Sequence, residues 1–392
     1  MKCSRRSFIG LLAIGIVSRA RSSAAIEGLW TAYGDFDAWA LSNGEIVAVG
    51  SRLVVFDPAN GKELRSASLS PPSAPDRVLG VTATPAAIVF GWYGWKGEGR
   101  VVCVDPRSLK TRWQRRIGWP DDERELSPGV FAVVRDDAIF VLLSGKRGEN
   151  LFRLRPDTGE TVWSRKIDRF VLGVPLAWRD GRLLVQSRIT QHYPKGHGHY
   201  QAIDVVTGAT LWQVRFDGTA GFWDDPPLIV GERAYLTCET SPGPSNHLYV
   251  IDIASATIVS QRVVQGLREP YAEHDGIVYF GTATPAAWDV RNDRVVWRSR
   301  LIRPYSTGPA IAPTGVFDAA RRRIYLGDAT DSLYKVSATD GTTIERLNIR
   351  AGYVNPARGI NSGYGVRRMQ LIGERLVIGT EDGRLLALAA AS

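Results

Sequence analysis

Apolar and polar residues alternate along this chain in short bursts, and the bursts recur. In "LRPDTGETVW", residues 154–163, a strand runs into a tight turn and then into a second strand that ends in tryptophan. "IDVVTGATLW", residues 203–212, repeats that frame, and "FDPANGKELR", "VDPRSLKTRW", "IDIASATIVS", "WDVRNDRVVW" and "VSATDGTTIE" repeat it more loosely. The first position after the leading strand falls at Asp57, Asp105, Arg155, Asp204, Asp252, Asp289 and Ser337, in steps of 48, 50, 49, 48, 37 and 48 residues. A near-constant period of this size marks a repeat architecture. An eighth copy begins as "RLLALAAAS" and runs out before its turn.

Ahead of each hairpin lies another apolar strand, such as "EIVAVG", "AAIVFG", "RLLVQS" or "RIYLGD", and ahead of most of these a shorter apolar piece such as "GVTAT", "PLAW" or "PLIV". Each unit therefore reads as a four-stranded antiparallel meander, strands A to D. One such sheet cannot bury both faces alone, so successive copies stack around an axis as propeller blades. The pattern predicts an all-β, eight-bladed β-propeller. "IEGLWTAYG", near the N-terminus, is expected to supply the outermost strand of the last blade and so close the ring. The turn chemistry agrees: an aspartate can bond amides ahead of it, and Gly61, Gly159, Gly208 and Gly341 supply the positive φ at the reversal. Four residues beyond this reversal position stand Trp113, Trp163, Trp212 and Trp297, each able to bury roughly 150–250 Å² between blades. A composition of 40 glycines, 12 tryptophans and only two methionines suits strands and tight turns.

"IDVVTGATLW" and "LRPDTGETVW" resemble the tryptophan-docking repeat of pyrroloquinoline-quinone (PQQ) type propellers, and the resemblance covers essentially the whole chain after its first 25 residues. It implies one of two functions: a quinoprotein dehydrogenase, or a BamB-like, non-enzymatic scaffold for outer-membrane assembly. The length is similar to that of the second branch. The enzymes hold a calcium or lanthanide ion with oxygen ligands, use an aspartate base, and typically place adjacent cysteines over the quinone. No Cys-Cys pair occurs here. The expected function is thus binding or assembly with an envelope protein partner and no firmly expected cofactor; PQQ with calcium, oxidising alcohols or sugars, is the alternative. A propeller-type polysaccharide lyase is a third class.

The N-terminus, "MKCSRRSFIGLLAIGIVSRARSSAA", has a basic start, an apolar run from Phe8 to Val17 and small residues suited to cleavage, which reads as an export signal over residues 1–25 ahead of a single propeller domain over 26–392. Arg5-Arg6 resembles the twin-arginine address. The run is shorter than the roughly 18–20 apolar residues that span a bilayer, so a periplasmic monomer without a transmembrane anchor in the mature chain is expected. Five basic residues leave with the signal, lowering the formal charge from +9 to +4. That modest charge, with no basic run interleaved with aromatics, argues against nucleic-acid binding. Cys103 and Cys238, on separate repeats, read as small buried hydrophobes.

Candidate chemistry falls on the B–C and D–A loops, which share one face. B–C loops are long in repeats two to five and short later, so that face is expected to be lopsided. Its binding candidates are Trp92, Tyr93, Trp95, Trp119, His192, Tyr193, His197, His199, Phe222, Trp223, Arg350, Tyr353, Asn355, Arg358 and Tyr364. His197 and His199 sit two apart and are a weak metal pair with no carboxylate close in sequence. "WPDDEREL", with Asp121, Asp122, Glu123 and Glu125, and "FWDDPP", with Asp224 and Asp225, read either as ligand sites or as solvated turns. No nucleotide-binding glycine fingerprint and no nucleophile elbow appears.

Overall fold

A computed structural model of the chain describes residues 29–69, 77–93, 99–117, 130–135, 137–143, 151–167, 177–189, 197–217, 227–240, 245–264, 267, 270–281, 285–299, 315–327, 332–349, 366–380 and 382–390. These residues form eight four-stranded antiparallel sheets and no helix. Blades 1 to 7 are meanders over 38–68, 77–117, 130–165, 177–217, 228–263, 270–298 and 315–348. Blade 8 takes three strands from the C-terminal end, Val366–Ile372, Arg375–Thr380 and Leu385–Ala389, and its fourth from the other end of the chain, Trp30–Ala32, which pairs antiparallel with 385–387. The protein is an eight-bladed β-propeller closed by its N-terminal strand.

Strands B and C are apolar almost without interruption because both of their faces are covered. Glu45–Val49 and Arg52–Phe56 are each buried over four successive residues. Eight hydrophobic clusters result, each shared by two adjacent blades. The cluster that closes the ring joins Trp30, Phe36, Trp39 and Ile46 to Val377, Leu385 and Ala387. Strands A of neighbouring blades also touch (1 with 2, 2 with 3, 5 with 6, 6 with 7, 7 with 8), as expected of the strands nearest the axis.

The C–D turns carry the period. Asp105 Oδ1 accepts from the amides of Arg107 and Ser108, and Asp204 Oδ1 from those of Val206 and Thr207. The amide of the reversing residue bonds back to the turn's first carbonyl, as Gly159 does to Arg155 and Gly208 to Asp204. That reversing residue lies at positive φ in seven turns: Gly61, Leu109, Gly159, Gly208, Ala256, Asp293 and Gly341.

The docking contact is explicit. Trp113 lies on Gly159 and donates from Nε1 to the Pro156 carbonyl at 2.9 Å; Trp163 lies on Gly208 and donates to Val205 at 3.2 Å; Trp297 lies on Gly341 and donates to Ala338 at 2.8 Å. Trp30, on the strand that closes the ring, does the same to Gly61 and Pro58 at 3.0 Å. Each acceptor is three residues before the reversing residue. Blade 1 has Arg65 in that place; it donates from Nε to Pro106 at 3.2 Å and forks onto Glu45. Trp212 packs beside Ala256, and its Nε1 has no acceptor among the described residues. Two arginines placed two residues after a tryptophan add a second tie: Arg115 Nη1 reaches the Gly159 carbonyl at 2.6 Å, and Arg165 Nη1 that of Gly208 at 2.5 Å.

Candidate functional site

The loop face is uneven in a way the described strands measure. Strands B and C of blade 4, Arg182–Ile189 and His197–Asp204, and of blade 5, Arg233–Thr240 and Ser245–Asp252, are eight residues long. Their counterparts in blade 6, Ile277–Phe280 and Ala286–Asp289, have four. With the hairpins aligned at their turn ends, four more residues at about 3.3 Å each lift blades 4 and 5 by about 13 Å on this face. Strand D of blade 4, Thr210–Asp217, rises with them.

Register fixes what the raised wall carries. His199 pairs with Ser187 and Arg215, and His197 with Ile189 and Asp217. His199 and Gln201 are buried and, with the period of two, share the sheet face that Val185 and Ile203 turn to blade 3. Tyr200 and Phe216 take the opposite face and pack on blade 5, Phe216 at 5.6 Å from Tyr249. Burial without a hydrogen-bond partner for its hydroxyl pushes Tyr200 well above the ordinary phenol range. Gly198 admits no side chain, because a Cβ there would collide with the Phe216 ring. On blade 5, Gln261 Nε2 donates to Tyr249 Oη at 3.2 Å and lies 3.2 Å from His247 Nδ1, a polar spot on the wall's outer flank.

Of the residues singled out from sequence, Trp92 is 4% exposed, edge-on to Phe90 at 5.9 Å, in the core between blades 1 and 2. It does not offer its ring to solvent. Tyr93 pairs through its backbone with Arg77 and Gly99 at the top of blade 2. Trp95, Trp119, His192, Tyr193, Phe222, Trp223, Arg350, Tyr353, Asn355, Arg358 and Tyr364 lie outside the described residues, as do Asp121, Asp122, Glu123, Glu125, Asp224 and Asp225. Cys103 is a buried free thiol raised to about 11 by burial. Among the described residues no three of His, Cys, Asp and Glu gather as metal ligands.

Two features of this face went unread in the sequence. The B–C hairpin of blade 8 holds a buried pair, Arg384 Nε to Asp382 Oδ2 at 2.7 Å, with Thr380 Oγ1 on the other carboxylate oxygen. Arg384 also donates to the Ile349 carbonyl at 3.2 Å, tying blade 8 to the end of blade 7. The second is Arg368, on the innermost strand of blade 8, stacked over Trp39 of blade 1. "TEDGR" looks like an ordinary surface turn, and only the packing of blade 8 on blade 7 buries Asp382 and Arg384.

The family profile described as "Outer membrane protein assembly factor BamB" matches residues 97–270, under half of the chain. A search of curated proteins gives no match. Among solved structures the chain is similar to BamB from Moraxella catarrhalis, with TM-score 0.65 and 16% identity, covering 92% of this chain and 98% of that one. It is also similar to the computationally designed Ika8 protein (TM-score 0.61, 12% identity, 93% and 98% covered) and to Saccharomyces cerevisiae Sqt1 (0.56, 10%, 91% and 95%). Identities this low show a shared fold.

Proposed function

Because the chain is an eight-bladed β-propeller and its residues 97–270 match the profile of an outer-membrane assembly factor, we propose that it is a PQQ-like propeller and an exported binding or assembly protein of the bacterial envelope, which holds a protein partner on its loop face and performs no chemistry of its own. The observation that carries this reading is the wall formed by blades 4 and 5 beside the low hairpin of blade 6. A ring with equal hairpins offers a flat rim, whereas one raised side gives a partner a shoulder to sit against. The match of residues 97–270, which hold the two outer strands of blade 2 and all of blades 3 to 5, to an outer-membrane assembly factor supports the same class. The basic, apolar and small-residue leader with Arg5-Arg6 supports export, and no helix of the described residues is long and apolar enough to cross a membrane.

The test is position-dependent crosslinking in the producing cell. A photoreactive residue at Ile189 or Thr240, on the wall, is expected to give adducts with an envelope protein, and one at Gly281, beside the low hairpin, far fewer. Equal yields from both places would overturn the proposal. Titration with PQQ and calcium is expected to leave the melting temperature unchanged; saturable stabilisation would instead favour the dehydrogenase reading.

A further inference from the structure

Strand A of blade 8 has a bulge at its loop-face end, where its register with strand B shifts between Val366 and Arg368. A bulge re-aims the side chain beside it. The Arg368 guanidinium lies 5.1 Å from the centroid of the Trp39 ring, and its Nη1 donates to the Trp39 carbonyl at 2.7 Å. Trp39 belongs to strand A of blade 1 and is itself buried, and its indole N–H has no acceptor among the described residues. The arginine is exposed, yet the protein around it removes enough water to hold its pKa below the ordinary guanidinium value. A group both reachable by water and crowded by protein is what the lining of a narrow axial channel presents.

The charge balance at this spot is one-sided. Among the described residues no carboxylate pairs with Arg368. Asp37, two residues before Trp39, accepts the Val78 amide at 3.2 Å. An arginine has five N–H donors in a planar fork, and only one is accounted for here. The fork matches the two oxygens of a carboxylate or a phosphate, and charge-assisted bonds of this kind are the strong ones. The Trp39 indole N–H is turned onto Gly379 and buried there, so the exposed guanidinium of Arg368, without a counter-ion among the described residues, is the donor this spot presents.

We propose that the loop-face mouth of the central channel binds a small oxyanion, a carboxylate or a phosphate, on the guanidinium of Arg368 beside Trp39. This site lies inside the ring, separate from the wall of blades 4 and 5, and it stands or falls independently of the partner reading.

The experiment is titration of the full chain with inorganic phosphate and, separately, with acetate, at ionic strength held constant with sodium chloride, followed by calorimetry and melting temperature. Saturable binding of at least one anion is expected, and which of the two binds tighter names the class. Arg368→Gln should weaken it at least about tenfold, the value of one charge-assisted hydrogen bond, while its melting temperature in chloride alone shows whether the ring is intact. Where that variant does not fold, Arg368→Lys keeps the cation and loses the fork, and weaker binding is again expected. No saturation by either anion in the wild type, or unchanged affinity in the folded variant, would overturn the proposal.

Discussion

One position decides how neighbouring blades meet: the residue four places after the reversal of the C–D turn. A tryptophan there covers the next turn's glycine and caps a carbonyl three residues earlier, so a single side chain combines apolar burial with a satisfied polar group. Trp113→Ala should therefore cost about 3 kcal/mol or more in denaturant unfolding, as expected for a buried tryptophan; a loss under 1 kcal/mol would contradict the docking role. The glycine is as constrained as its cover. Gly208→Ala places a Cβ against Trp163 and forces an L-residue to positive φ, costing about 1–2 kcal/mol before the clash is counted. The tryptophans of four blades were legible from spacing alone. Trp30 was not, because its glycine lies in the first repeat while it precedes every copy of the motif. Arg65 was not, because nothing about an isolated arginine announces that it replaces an indole; counting four residues on from Gly61 would have found it.

At the level of strands, the docking rule also shows where it fails. Blade 5 carries Ser260 in the docking place, and its tie to the next turn is Arg262 with Asp293 at 2.8 Å, a pair with both side chains nearly half exposed. Exposed pairs contribute little. The outer strand, Thr257–Val263, is exposed over almost its whole length, with Ile258, Val259 and Val263 open to solvent. Hydrogen exchange should accordingly release the amides of Thr257–Val263 before those of Thr210–Asp217, the outer strand of blade 4, which Trp212, Val214 and Phe216 hold inward; the reverse order would show that the hydrophobic cluster between blades 5 and 6 suffices by itself. Strand existence and order were readable from alternation, and so was the uneven loop face. The height of the wall was not, because "SRITQHYPKGHGHY" and "TCETSPGPSNH" read as loops. In the fold part of each belongs to strands, since a hairpin can keep pairing past the point where its residues stop being apolar.

For the ring as a whole, the turn-head carboxylates set a common acid limit. The Arg112 guanidinium and the Ser108 amide hold Asp105 well below the carboxylate range, backbone and hydroxyl bonds lower Asp204 and Asp252, and Asn292 lowers Asp289. A carboxylate whose folded pKa lies below its unfolded one adds stability that is present above about pH 4 and lost as the pH falls through the folded value. The melting temperature should hold between pH 7 and 5 and fall steadily below about 4; a rise on acidification would contradict the turn chemistry. The eightfold architecture and its closure were readable from the period and the truncated last copy. The pairing of Arg368 with Trp39 was not, since they lie at opposite ends of the chain and become neighbours only when blades 8 and 1 meet.

That meeting makes the two ends of the molecule adjacent strands of one sheet, Trp30 opposite Ala387. A circle has no natural beginning. A short peptide joining the present ends, with a new opening cut between Thr240 and Ser245, should still give the same propeller, since every blade keeps its neighbours. What would change is the order of events: the strand that now waits for the last-made residues would find its partner through the linker, and a different seam would become the final, slow clasp of folding.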